Sequence, residues 1–387
     1  MARILFVVPP LTGHVNPTVS VGRALAARGH HVAWAAHPGA VRPLLPADAE
    51  LVPMPERVDA DHAAAIADKA RSTRGAAALK FLWEDFLIPL ARSMRPALDA
   101  AVATWRPDLL VVDQQAVAGG LVARARGLAW ASTATTSAGV TDPLAGLPQV
   151  KQWLADLFAD LEREAGLPPT GAGGELSPHR VIAFTTSALV GPADRFPAHY
   201  RFVGPSIADR PETAAFPWDR LGPRPRVLVT MGTVNVDVSS RFYTTAIAAL
   251  AAQPVQVILA APPEVVGPLP PNVICQRFVP QLAVLREVDA VVCHGGHNTV
   301  CEALARGLPL VIAPIKDDQP IVADQVVAAG AGVRVKFGRV QPAELAAAVR
   351  RVLDEPSFRT AAAAVQASFT AAGGAAAAAT ALEELLP

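Results

Sequence analysis

The stretch ARILFVVPPLTGHVNPTVSVGRALAARGHHVAWAA at 2–36 decides the architecture. Residues 2–8 form a continuous apolar run, the pattern of a strand buried on both faces. The loop PPLTGHVN follows. Asn16 then reads as a helix N-cap with Pro17 at the first helical position, where its missing N–H costs nothing. The helix TVSVGRALAARG closes at Gly29, a residue suited to the left-handed C-terminal conformation. HHVAWAA at 30–36 is the next strand. Strand, helix and strand in that order predict an α/β chain whose parallel sheet is covered by helices on both faces.

The unit recurs. RPDLLVVDQ (106–114), LAWAST (128–133), RVIAFTTS (180–187) and RFVGP (201–205) read as strands, with helical sequence at 60–100 and 149–166. IADRPETAAFPWDRLGPRP at 207–225 is polar, rich in Pro and Arg, and without period, which marks a linker. RVLVTMGTVN (226–235) then restates the opening, and VQVILAA (255–261), NVICQRF (272–278), AVVCHGG (290–296) and PLVIAPI (309–315) continue it. The expected organisation is two Rossmann-like domains, 1–206 and 226–365, joined by the linker 207–225. An Ala-rich helical tail, 366–387, is expected to cross back to the first domain.

Composition narrows the function classes. Hydrophobic residues make up 51% and charged residues 18% of 387, which is globular. Lys+Arg and Asp+Glu both total 34, so the basic excess that a nucleic acid or an anionic membrane attracts is missing. Zero net charge permits a homodimer without requiring one. Cys275, Cys293 and Cys301 have no metal-ligand spacing and read as buried small hydrophobes. MARILFVVPP is too short for a signal peptide, and no apolar run approaches the ~20 residues that span a bilayer. The expectation is a cytoplasmic protein without stable membrane insertion.

The chemistry concentrates in HGGHNTVCEALARG at 294–307. A strand runs into a turn at Gly295 and Gly296, and a helix starts near Asn298 and Thr299. Glycines let a ligand approach the backbone, and a helix N-terminus favours an anion. With His294 as a further donor, a phosphate cradle accounts for each residue type. A zinc site accounts for them less well, because HExxH spacing is absent. Asp318 and Gln319 follow a strand's C-terminal end, the edge where open α/β sheets bind ligands, and suit vicinal hydroxyls. In RFVPQL (277–282), Phe278 offers a face to a flat base or a side chain to the core. The Val279 backbone and Gln281 are placed to read a base edge and a ribose.

The pattern HGGxNTxxEALxxGxPxxxxPxxxDQ, preceded by RFVPQ and by a strand–GT turn at 232–233, resembles the donor signature of family 1 glycosyltransferases. These are inverting enzymes of the GT-B fold that use nucleotide-diphosphate sugars. The resemblance covers 226–353, GHVNP near the N-terminus adds to it, and it points to the bacterial enzymes that glycosylate antibiotics and other secondary metabolites. It implies two domains facing each other across a cleft that hinges at 207–225, with acceptor in the first and donor in the second. It further implies that Phe278 stacks on uracil or thymine, with Val279 at the base edge, and that Gln281 and Glu302 hold the ribose. His294, Gly295, Gly296, Asn298 and Thr299 would contact the diphosphate. Gly232 and Thr233 would close over the other phosphate, and Asp318 and Gln319 would hold sugar hydroxyls. The chain departs from the family at His297, where small or aromatic residues are usual, and at Lys316-Asp317, where apolar ones are common. Both departures are expected to border the sugar pocket.

His14 lies just past the first strand and Asp113 ends LLVVD, so both belong to the C-terminal edge of one sheet. A histidine backed by a carboxylate is a general-base pair, and the resemblance gives the matching histidine the task of deprotonating the acceptor. PPLTGHVNP does not match GxGxxG, which argues against an NAD or FAD enzyme. The triplet Asp59–Asp61 reads as helix capping, so no metal and no cofactor beyond the co-substrate are expected. Trp83, Phe86 and Leu87 either pack in the core or line a pocket for an apolar acceptor. The expected function is transfer from a dTDP- or UDP-sugar to a hydroxyl of a hydrophobic small molecule. An NDP-sugar epimerase on the same scaffold and a non-catalytic nucleotide-binding helper are the rivals.

Overall fold

The computed structural model describes residues 1–55, 69, 73, 75–171, 175–207, 214–223, 225–232 and 239–387. Thr233, the Asp59–Asp61 triplet and parts of the expected linker (208–213 and 224) lie outside them. The chain divides into two units. Unit 1 comprises Met1–Thr186, Pro192–Pro211 and Ala372–Pro387, and unit 2 comprises Ser187–Gly191 and Glu212–Ala371.

Unit 1 is built on seven strands: β1 (Arg3–Val7), β2 (His31–Ala36), β3 (Glu50–Pro53), β4 (Leu109–Asp113), β5 (Trp130–Ala134), β6 (Val181–Ala183) and β7 (Tyr200–Phe202). They pair in parallel in the order β3-β2-β1-β4-β5-β6-β7. Alternation along β1 sends Ile4 and Phe6 to one buried cluster and Leu5 and Val7 to the other, so both faces are covered. Unit 2 repeats the plan with β8 (Arg226–Thr230), β9 (Gln256–Ala260), β10 (Val273–Gln276), β11 (Ala290–Cys293), β12 (Leu310–Ile312) and β13 (Gly332–Arg334). Their order is β10-β9-β8-β11-β12-β13, again parallel. Val227 and Val229 face one core, Leu228 the other. Among the described residues no helix is long and apolar enough to cross a membrane.

Three local features differ from the sequence reading. The first helix spans Thr12–Ala27, not a segment starting after Asn16. Its first turn closes on the Leu11 carbonyl, which accepts from the N–H of His14 at 2.9 Å and of Val15 at 3.1 Å. Pro17 is therefore inside the helix, where the donor it lacks would have served the Gly13 carbonyl. The consequence is that His14 rides on a helical turn instead of a loop. Second, Phe81–Leu87 is a π-helical segment between Ala76–Lys80 and Ile88–Trp105. Pro89 offers no N–H to the turn before it, which favours the wider register there. Third, the short edge strands β3 and β13 carry no strong apolar run and were not anticipated.

The tail expected from 366 changes unit only at Ala372. Helix Gly374–Glu383 buries Ala378, Ala379 and Leu382 in the cluster that holds Ile4 and Phe6. Glu383 accepts from Arg28 at 2.6 Å and from the His30 ring at 2.9 Å, and Glu384 accepts from Arg180 at 2.8 Å. The His30 and Arg28 bonds hold the Glu383 carboxyl below its ordinary range. Leu382→Ala is expected to destabilise unit 1 by about 2–4 kcal/mol, the usual cost of emptying a buried leucine site. Trp34, Trp83, Trp105, Trp130 and Trp153 lie in unit 1 and Trp218 in unit 2, so denaturant unfolding followed by tryptophan fluorescence reads that loss.

Candidate active site

Both sheets reverse their strand order at one point, β1 against β4 in unit 1 and β8 against β11 in unit 2. Neighbouring strands there send their following helices to opposite faces, which leaves a crevice at their carboxyl ends. His14 and Asp113 sit at one such point, and Gly232 and His294 at the other.

In unit 2, Gly232 follows β8 and His294 follows β11. The imidazole of His294 is wedged between two glycines. A Cβ on Gly232 would lie 2.7 Å from its Cε1, and one on Gly296 would lie 2.5 Å from its Nε2. Gly295 holds a φ of +88°, open to glycine and strained for other residues. The sequence reading had these glycines admitting a ligand to the backbone; in the structure Gly232 and Gly296 first make room for the histidine. Burial lowers the His294 pKa to about 4, against upward pulls from Asp318 and the Thr230 backbone, so the ring is neutral at pH 7. Its Nδ1 is buried without a hydrogen-bond partner. Helix His297–Leu304 begins directly after Gly296, with Asn298 and Thr299 in its first turn. The opening N–H groups of a helix have no partner within it, which suits them to an anion.

His297 stands at the first position of that helix. It is buried, with Nε2 3.5 Å from the Cys301 thiol one turn on. Burial pushes the Cys293 thiol up to about 12 and Cys301 up as well, so both behave as the small hydrophobes expected of them.

Phe278 is 61% exposed, which removes the core alternative and leaves a free aromatic face. Val279 packs against the core beside it. The Gln281 amide donates to the buried Glu302 carboxylate at 2.5 Å, joining two residues that lie 21 apart in sequence. Asp318 precedes helix Gln319–Ala328, its backbone carbonyl accepting from the N–H of Ile321 at 3.0 Å and of Val322 at 3.1 Å. The Gln319 side-chain carbonyl is committed to the preceding loop, accepting from the N–H of Ile315 at 2.8 Å and of Lys316 at 3.2 Å. Its amide N–H groups are what it can offer elsewhere. Asp317 in this loop takes a left-handed φ of 56°.

In unit 1, His14 Nδ1 lies 2.8 Å from Asp113 Oδ1. Asp113 is 1% exposed. It also accepts from the Gln115 N–H at 2.8 Å and from the Thr135 hydroxyl at 2.8 Å. A carboxylate only accepts, so Nδ1 carries the proton and Nε2 carries the lone pair. Thr135 was not among the expected residues. The pairing of Asp113 with Thr133 brings the end of β5 beside β4 and carries Thr135 to the pair. The run STATTS at 132–137 was the available signal, legible only with strand register in hand. Of the expected acceptor residues, Leu87 is fully buried in the core. Trp83 and Phe86 are half-buried against the same core, and Trp83 meets Phe158 edge-on at 5.1 Å. The π-helical turn sets which side of the helix faces inward, and Leu87 falls on that side.

Residues 244–385 match the family described as erythromycin biosynthesis protein CIII-like, C-terminal domain. 4'-Demethylrebeccamycin synthase of Lentzea aerocolonigenes is 33% identical over 407 residues, with 96% of each chain covered. The chain belongs to the antibiotic and natural-product glycosyltransferases. Solved relatives agree. The glycotransferase of kitacinnamycin superposes with a TM-score of 0.81 at 29% identity, covering 100% of this chain and 99% of the other. Glycosyltransferase VinC, solved in complex with DTDP, gives 0.76 at 25% identity, with 99% of both chains covered. The fold of this glycosyltransferase is thus GT-B, and the epimerase and helper readings fall away.

Two outcomes follow from the His294 wedge. Gly296→Ala must displace the imidazole and is expected to cost about 1–3 kcal/mol of stability in urea unfolding, as overpacking does. The folded pKa of His294 lies below its ordinary 6.5, so the unfolded chain binds the extra proton first. Stability is then fully present above pH 6.5 and is lost as pH falls toward 4. Relative to His294→Phe, the wild-type chain is expected to lose up to about 3 kcal/mol across that window, measured by unfolding at each pH.

Proposed function

We propose that this glycosyltransferase carries a sugar from a pyrimidine nucleoside diphosphate in unit 2 to a hydroxyl of an apolar natural product in unit 1. In this reading the sugar's configuration inverts, His14 is the general base, and no metal takes part. The observation that carries it is the 2.8 Å contact between His14 Nδ1 and the buried Asp113 carboxylate. With Nδ1–H held there, Nε2 accepts the acceptor's hydroxyl proton, and Asp113 stabilises the imidazolium that forms. The freed oxygen attacks the anomeric carbon from the side opposite the leaving diphosphate, which inverts that centre.

The donor roles follow from the same chemistry. Phe278 stacks on the pyrimidine, with the Val279 backbone at its edge. Glu302, steadied by Gln281, accepts from ribose hydroxyls. The diphosphate lies beside His294, Gly232, Gly295 and Gly296 and takes the open backbone N–H groups of the first turn at Asn298 and Thr299. These fixed dipoles stabilise the charge left on the leaving group and account for departure without a cation. Asp318 accepts from sugar hydroxyls, and the Gln319 amide donates to them. Relatives solved with thymidine diphosphate, VinC and the spinosyn rhamnosyltransferase SpnG, favour a dTDP-sugar over a UDP-sugar.

Calorimetry with dTDP and UDP in EDTA tests the donor half. Micromolar binding of at least one, with dTDP the tighter, is expected; absence of binding by both overturns the donor assignment. His14→Ala is expected to lower turnover by at least about 100-fold on a panel of phenolic and macrolide hydroxyl acceptors. Near-normal turnover would remove His14 from the role of base.

A further inference from the structure

We propose that Thr135 is a positioning residue that locks the His14–Asp113 pair in its working geometry and protonation state. The inference rests on the reading of His14 as base. Thr135 Oγ1 lies 2.8 Å from Asp113 Oδ2 and 2.7 Å from His14 Nδ1. A hydroxyl has one proton. The carboxylate can only accept, so that proton goes to Oδ2, and the contact with the ring is one in which Oγ1 accepts. The Nδ1–H is therefore shared between Asp113 Oδ1 and Thr135 Oγ1. Asp113 receives donors at both oxygens, His14 and the Gln115 N–H at Oδ1 and Thr135 at Oδ2.

Two effects follow. The imidazole is held at two points, so it cannot swing about a single bond when Nε2 takes up a proton. The second effect is electrostatic. The Asp113 side chain is 0% exposed, so no solvent replaces a missing donor at Oδ2. Acceptance from Nδ1–H favours the charged imidazole, whose N–H is the stronger donor. Donation to Oδ2 draws charge off the carboxylate and so weakens its hold on that imidazolium. Thr135 thus balances the two contacts, and without its hydroxyl the proton affinity of the pair moves.

Thr135→Val keeps the shape of the side chain and removes the hydroxyl. In the full-length enzyme it is expected to lower kcat about 10- to 100-fold, the range for loss of a bond to a buried charge. The donor KM should stay within about twofold, since that effect belongs to the chemical step. The acidic limb of the kcat profile, and the His14 midpoint followed by NMR without substrate, should shift together by about one pH unit. Thr135→Ser should restore both. Calorimetric dTDP binding checks that unit 2 is intact, and Thr135→Ala against Thr135→Ser gives the same NMR comparison should valine disturb β5. Wild-type kcat and midpoint in Thr135→Val, with His14→Ala inactive, would overturn the role of Thr135 alone. An active His14→Ala would overturn the base reading and this inference with it.

Discussion

Each sheet depends on one pairing, β1 with β4 and β8 with β11. Without those ladders the chain could still form strands and helices, but no crevice would open at their ends. Parallel neighbours whose helices leave toward opposite faces must part at their carboxyl ends, and the sequence places its polar residues there. His14 and Asp113 flank the reversal in unit 1; Gly232 and His294 flank it in unit 2. The chain applies one solution twice, once around a histidine tied to a carboxylate and once around a histidine walled in by glycines.

These two histidines are opposite electrostatic devices. His14 has a buried negative partner and 15% of its side chain open to solvent, so a proton can arrive and be stabilised. His294 is buried in a tightly packed setting, so it stays neutral. The difference comes from their neighbours. A carboxylate at the end of β4 partners the first, and two absent Cβ atoms make the second a wedge.

Much of this was legible from residues alone. Buried parallel strands announce themselves as apolar runs, and β1, β2, β4 and β8–β12 fall where those runs lie. His14 and Asp113 could be matched because both occupy the same end of their strands. Thr135 could not, since its contact depends on the register between β4 and β5, which no local pattern carries. The helix start was misplaced because Asn16-Pro17 is a persuasive cap signal, while the real first turn uses only backbone. For Leu87 the core alternative holds, and sequence could not choose it because a π turn shifts the phase of a helix. The edge strands β3 and β13 are short and only partly buried, so the hydrophobic signal that marks a strand is weak in both.

The helix Gly374–Glu383 has a consequence for synthesis. Unit 1 contains residues made before unit 2 and residues made after it. Its β1 face, with Ile4 and Phe6, cannot be fully covered until Leu382 has been made and released. Unit 2 is complete once Ala371 has emerged, while unit 1 still presents apolar surface. Vectorial folding is thereby reversed for these two units, and β1 waits for its core until after unit 2 has been made.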